Sequence, residues 1–224
     1  MLPTLLPGLE SLSTSRAPQL IVGLAVCGIL LLIVSDHRLA IPAFLAQRLI
    51  VVGLLWTTIQ LPLGSTSIVA STAIILIFAV TELRLLVAGP RESAQAHRRK
   101  PSLTGLPFGA LTAALGLIMT YGLVRVFALH LLPFVVAFPV VLLIVNSFLI
   151  VLLADSALRT GMGLLTFADG CRILYALWQP NLLVWGIWSA CDVLVALAAS
   201  HLRNTEVTVV EGQAAGGSES NHTS

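Results

Sequence analysis

Residues 157–203 read ALRTGMGLLTFADGCRILYALWQPNLLVWGIWSACDVLVALAASHLR. Two apolar runs, 157–178 and 182–202, are separated only by Gln179-Pro180-Asn181, a signal that ends one helix and begins another. Each run has about the 20 residues that a helix needs to cross the hydrocarbon of a bilayer. Asp169, Arg172 and Asp192 nevertheless stand in their middles. The stretch predicts an antiparallel helical hairpin in a membrane, with charges where that solvent makes them most costly.

Working outward, five more runs of similar length precede the hairpin: 17–35, 39–61, 67–88, 104–129 and 133–154. Breakers or charges separate them: Asp36-His37-Arg38, Pro62-Leu63-Gly64, the polar stretch 89–101, His130 to Pro133 and Asp155-Ser156. The ten-residue alternation of a membrane β-barrel is missing, since the runs are continuous. The expected fold class is therefore all-α, a polytopic membrane protein with seven transmembrane helices in a single domain over 17–202.

Composition agrees. The 224 residues are 57% apolar and 10% charged, with a mean hydropathy of +0.98, whereas a soluble domain carries about a quarter charged residues. Twelve Lys plus Arg against ten Asp plus Glu leave a net charge of +2, too little to hold a phosphate backbone, so nucleic acid is not an expected partner. Cys27, Cys171 and Cys191 stand singly in apolar runs, without the spacing of a zinc or iron-sulfur site, and read as small buried hydrophobes.

Cytoplasmic loops retain Lys and Arg. The basic loop 89–103 holds Arg91, Arg98, Arg99 and Lys100, which assigns it to the cytoplasm. Alternation then brings Arg38, Arg84, Arg159 and Arg203 inside and leaves Arg16 outside, so the N-terminus is predicted out and the C-terminus in. Residues 1–16 form a short N-terminal segment without the basic start of a signal peptide. The small, polar, acidic tail 203–224 is expected to be disordered.

The informative residues are those ionisable within spans: Arg48, Glu82, Arg125, Asp169, Arg172 and Asp192. At 1.5 Å per residue from the turn at Pro180, Asp169 is about 16 Å deep and Asp192 about 18 Å deep, while Arg48 is about 13 Å from the cytoplasmic side. Arg172 follows Asp169 by three positions, so the two share a helix face. Two readings of this band are open. In one it is a proton relay, because burial raises a carboxylate's hold on its proton, a nearby arginine weakens it, and moving the arginine switches the affinity. In the other, the charges are ion pairs that fix helix register.

The remaining charges read more simply. Glu82, Arg84 and Arg125 lie near helix ends, where they can snorkel to the interface. His37 and His201 lie at one end of the spans and His130 at the other, which disfavours a haem site. The lone lysine, Lys100, is in a loop, which excludes an intramembrane Schiff base. Gly105, Gly109 and Ala113, spaced by four, predict a close-packing face on the fourth helix.

Residues 154–203 resemble the hydrogenase-4 component E family, membrane subunits of complex-I-like hydrogenases whose C-terminal part is similar to the small K-type subunit of complex I. That family opens the helix with a basic residue, places a glycine four positions on, and follows with a Glu-Asn-Gly triplet. Arg159, Gly163 and Ala168-Asp169-Gly170 occupy those places here. Pro180, Gly186 and Asp192-Val193-Leu194-Val195 match the next part of the pattern in kind. The sequence departs in carrying the acid at the second triplet position, about 100° around the helix from the first. The lysine and proline of the family's third helix are also missing from 71–80.

The resemblance implies an integral subunit of a hydrogenase-like or complex-I-like respiratory assembly in the plasma membrane. Such a subunit contributes to proton translocation or to assembly of the membrane arm, without being catalytic itself. Its partners would be the lipid bilayer and the other membrane subunits of the complex. No cofactor is expected in this chain, so redox groups would belong to those partners. Asp169, Asp192, Arg172 and Arg48 are the proton-relay candidates. The alternatives are a stand-alone proton-coupled secondary transporter using the same midplane layer, and a purely structural subunit.

Overall fold

The computed structural model describes residues 17–34, 37–58, 61–87, 106–128, 134–178 and 181–219. Among these the chain is all-α, with no strand: α1 (Ala17–Ile33), α2 (His37–Thr58), α3 (Leu61–Val87), α4 (Leu106–Ala128), α5 (Phe134–Leu152), α6 (Ala157–Trp178) and α7 (Leu182–Glu219). The basic loop, the segment 1–16 and residues 220–224 lie outside the described residues. Helix α7 continues to Glu219, through most of the stretch that composition assigns to a disordered tail. No proline interrupts it, so each turn beyond Arg203 extends an existing helix without the cost of a new nucleus.

Helices α1, α2, α3, α7, α6 and α5 pack in that order as a closed ring, α2 also touches α6 across its middle, and α4 seats against α1 and α5. Two apolar clusters fill the interior. The first gathers Leu31 and Leu32, Phe44, Phe78, Ile150, Leu158, Met162, Leu165, Ala196 and Ala199. The second gathers Leu24, Val51, Leu54, Leu55, Val140, Leu143, Ile173 and Trp185. Chain direction follows from these memberships: α1, α5 and α7 run from the second cluster to the first, and α2 and α6 run back.

Missing side chains set the closest approaches. On α6, a Cβ on Gly163 would meet Val151 Cγ2 at 2.6 Å, and one on Gly170 would meet Leu143 Cβ at 3.2 Å, so both glycines admit α5. On α4, a Cβ on Gly109 would lie 3.1 Å from the Ile33 Cα, against backbone that cannot yield. Gly109 and Ala113 do form a buried face, and Gly105 lies outside the described residues. The last turn of α1 is further held by Arg159, whose Nη2 donates to the Leu31 and Leu32 carbonyls at 3.1 and 3.3 Å. A guanidinium there satisfies carbonyls that a helix end leaves unpaired and complements its partial negative charge.

Gly161 gives a clean test of this packing. A Cβ on it would lie 2.5 Å from Ala199 Cβ on α7 but 3.9 Å from Ala199 Cα. Gly161→Ala should therefore destabilise the bundle by about 1–3 kcal/mol, the usual cost of overpacking. Adding Ala199→Gly removes the obstructing atom and should restore most of the loss in unfolding measurements in mild detergent.

The outer surface carries large exposed apolar side chains, among them Leu49, Val69, Leu111, Ile118, Leu152 and Leu183, while Gln47, Arg48, Thr166, Asp169, Arg172 and Asp192 are buried. Two segments, Pro107–Val126 and Leu182–Thr205, are long and apolar enough to cross a membrane; Pro18–Ile33, Leu39–Leu55, Ser67–Thr81 and Val136–Leu152 are shorter apolar helices. Helix α6 is in neither group and carries the charges Arg159, Asp169 and Arg172.

Candidate functional site

The two apolar clusters are separated by a layer of charge. On α2, Arg48 lies between Phe44 of the first cluster and Val51 of the second; on α6, Asp169 and Arg172 lie between Leu165 and Ile173; on α7, Asp192 lies between Trp185 and Ala196. The helical spacing that keeps each of these residues on the inward face is the spacing that keeps its apolar neighbours there too. All four charged side chains are no more than 3% exposed.

They form a closed ring. Arg48 Nε faces Asp169 Oδ2 at 3.1 Å, and Arg48 Nη1 donates to Asp192 Oδ2 at 3.1 Å. Arg172 Nη2 donates to the same Asp192 oxygen at 2.7 Å, and Arg172 Nη1 faces Asp169 Oδ1 at 3.7 Å. Each acid thus meets both arginines, and the four formal charges cancel. Cancellation is what allows the group to be buried, since an unpaired ion in a low-dielectric interior is penalised by several kcal/mol. The Arg48–Asp169 contact has the distance of an ion pair but not the alignment of a hydrogen bond.

Neighbouring groups hold the ring in place. Arg48 Nη2 donates to the Leu165 carbonyl at 3.4 Å, and its guanidinium carbon lies 5.5 Å from the centre of the Phe44 ring, one turn earlier on α2. Arg172 lies 5.5 Å from the ring centre of Trp185. Both contacts use the negative face of an aromatic ring against a cation. Beside Arg48, Gln47 Nε2 donates to Thr166 Oγ1 at 3.4 Å, and the Thr166 hydroxyl donates to the Met162 carbonyl at 2.8 Å.

The four residues singled out from depth and helix rise are therefore brought together. The other charges are not. Arg84 is exposed, and Arg125 is exposed with Nε and Nη2 both donating to the Tyr121 hydroxyl on its own helix. The Glu82, His37 and His130 side chains lie outside the described residues, and His201 is exposed. Among the cysteines Cys27 is buried and Cys171 half-buried, but Cys191 is exposed. Cys191 is the neighbour of inward-facing Asp192, and a step of about 100° turns it outward, which corrects its reading as a buried hydrophobe.

Sequence reasoning missed Gln47 and Thr166. Phe44, whose i−4 spacing to Arg48 is a signal in the sequence, was missed as well, as was Trp185, across the turn from Arg172. The Thr81 and Ser200 hydroxyls also pair across α3 and α7. Among the described residues no three His, Cys, Asp or Glu side chains gather as a metal site. No protein-family model, curated protein or solved structure matches the chain.

Proposed function

We propose that this chain is an integral membrane subunit, with seven membrane-spanning helices and its N-terminus outside, whose charge ring handles protons within a hydrogenase-like or complex-I-like assembly of the plasma membrane. One observation carries the reading: two acids and two arginines close a neutral ring between two apolar clusters. The apolar outer surface supports the membrane setting, because lipid tails solvate such side chains and water does not.

The ring can couple proton movement to displacement of an arginine. Protonating one acid leaves the layer with a net positive charge, which the apolar surroundings resist. The excess is removed when that proton moves on or when one arginine swings out of the layer. A helix shift that changes which acid the arginines favour therefore changes which acid holds the proton. The chain supplies polarisable acids and tuning cations, and redox chemistry would lie in partner subunits.

Two measurements test this. Extraction of native membranes in mild detergent should recover the chain with antiporter-like and hydrogenase-like subunits. In inverted membrane vesicles, Asp169→Asn combined with Asp192→Asn should reduce proton uptake by the assembled complex to background. Unchanged uptake with both acids replaced would remove the proton role, and recovery of a lone polypeptide that transports a solute would replace the subunit reading with that of a transporter.

A further inference from the structure

We propose that the Gln47–Thr166 bridge binds ordered water against the charge ring and is the step through which protons reach Asp169 from the cytoplasmic side. The inference rests on the proton-handling reading of the ring and adds the ligand and the route.

The hydrogen-bond inventory of the bridge does not close with protein groups alone. Gln47 is 1% exposed and has two amide donors and a carbonyl acceptor. Its Nε2 donates to Thr166 Oγ1, and the one Thr166 proton is committed to the Met162 carbonyl. Gln47 Oε1 is buried with no protein donor. Leaving a buried polar atom unmet costs about 1–3 kcal/mol, and water is the usual donor that relieves it.

The bridge stands beside the ring. Gln47 precedes Arg48 on α2, Thr166 lies one turn before Asp169 on α6, and the carbonyl next to Thr166, that of Leu165, already accepts from Arg48. Two further atoms of the ring, Arg48 Nε and Asp169 Oδ2, face each other without hydrogen-bond alignment. A water bound here would donate to the Gln47 carbonyl and the Asp169 carboxylate and accept from a guanidinium, which meets the two to four polar partners that a buried water needs. Along both helices the bridge lies on the side of the first apolar cluster. That is the end where Arg159 is buried against α1, the end that the distribution of basic residues assigns to the cytoplasm.

The proton step balances simply. A hydronium at this position gives one proton to the Asp169 carboxylate; an O–H bond forms on Asp169, one O–H bond of the hydronium breaks, and a neutral water remains. Gln47 and Thr166 are positioning residues, fixing that water without changing their own protonation.

The test uses the assembled complex in lipid nanodiscs and in inverted vesicles. At a resolution that shows ordered water, the native complex should have water density within hydrogen-bond distance of the Gln47 side chain, and the Gln47→Leu complex should lack it. A dry Gln47 amide, or one whose oxygen is met by a protein donor, overturns the site. In vesicles, Gln47→Leu and Thr166→Val should slow initial proton uptake several-fold, and Thr166→Ser, which keeps the hydroxyl, should recover most of the rate lost in Thr166→Val. If Asp169→Asn with Asp192→Asn abolishes uptake while Gln47→Leu and Thr166→Val run at the native rate, this route is overturned and the role of the ring stands. If the acids themselves are dispensable, the reading of the ring fails, the proton step fails with it, and the density alone decides the water site.

Discussion

Asp192→Asn is expected to cost about 3–5 kcal/mol of folded stability, the penalty for stranding a charge whose buried partner has been removed. Asp192 accepts from both Arg48 and Arg172 through one oxygen. Its neutralisation leaves two guanidiniums and the single carboxylate of Asp169 in a site no more than 3% exposed. The shape of the side chain is unchanged, so the loss measures charge rather than packing. Replacing Arg172 and Asp192 together, as Arg172→Met with Asp192→Asn, keeps Arg48 opposite Asp169 at 3.1 Å and restores neutrality. The double variant should regain most of the stability in thermal or denaturant unfolding in mild detergent. A single variant as stable as the native chain would show that the ring is not a balanced ionic unit. Proton uptake should be lost in both variants, so that stability and function separate: one depends on net charge, the other on a particular acid.

Trp185→Ala should be the most damaging apolar substitution, at about 3 kcal/mol. Trp185 is 1% exposed, the largest of the fully buried side chains, and lies in the second apolar cluster with its ring toward the Arg172 guanidinium. In the proposed membrane setting the alternative to burial is contact with hydrocarbon rather than water. The transfer part of the usual cost shrinks, and the cavity remains, which places the effect near the lower end of the range of about 3–5 kcal/mol for Trp→Ala in cores. Trp185→Phe, which keeps a ring face for Arg172, should recover most of the loss. Equal losses in the two variants would mean that the aromatic contact with Arg172 contributes nothing beyond volume.

How much of this was legible depends on the period and strength of each signal. Continuous apolar runs of span length are the least ambiguous pattern a sequence offers, and every expected run has its helix in the structure. The four charges were legible for a related reason: depth along a helix is a count of residues multiplied by a fixed rise. That count puts Asp169, Arg172, Asp192 and Arg48 in one layer without any knowledge of which helices touch. Gln47 and Thr166 carry no charge, so nothing in an apolar background marks them until a neighbour is known. Cys191 shows the converse. Its apolar surroundings in the sequence suggest burial, yet in a chain whose outer face is also apolar, hydrophobicity no longer separates inside from outside.

The sequence by itself determined the helical class, the order of the elements and the position of each charge along its helix, because all three follow from local composition and the geometry of a single helix. The tertiary structure decided the pairing. Arg48 and Asp192 are 144 positions apart, and only the packing of α2 across the ring of helices onto α6, with α7 at the side of α6, brings them together. That packing is set by where backbones can approach: Gly163 and Gly170 admit α5, Gly161 admits α7 and Gly109 admits the end of α1. Whether a glycine lies at such a contact is a property of two surfaces at once, and one helix's sequence holds only half of it.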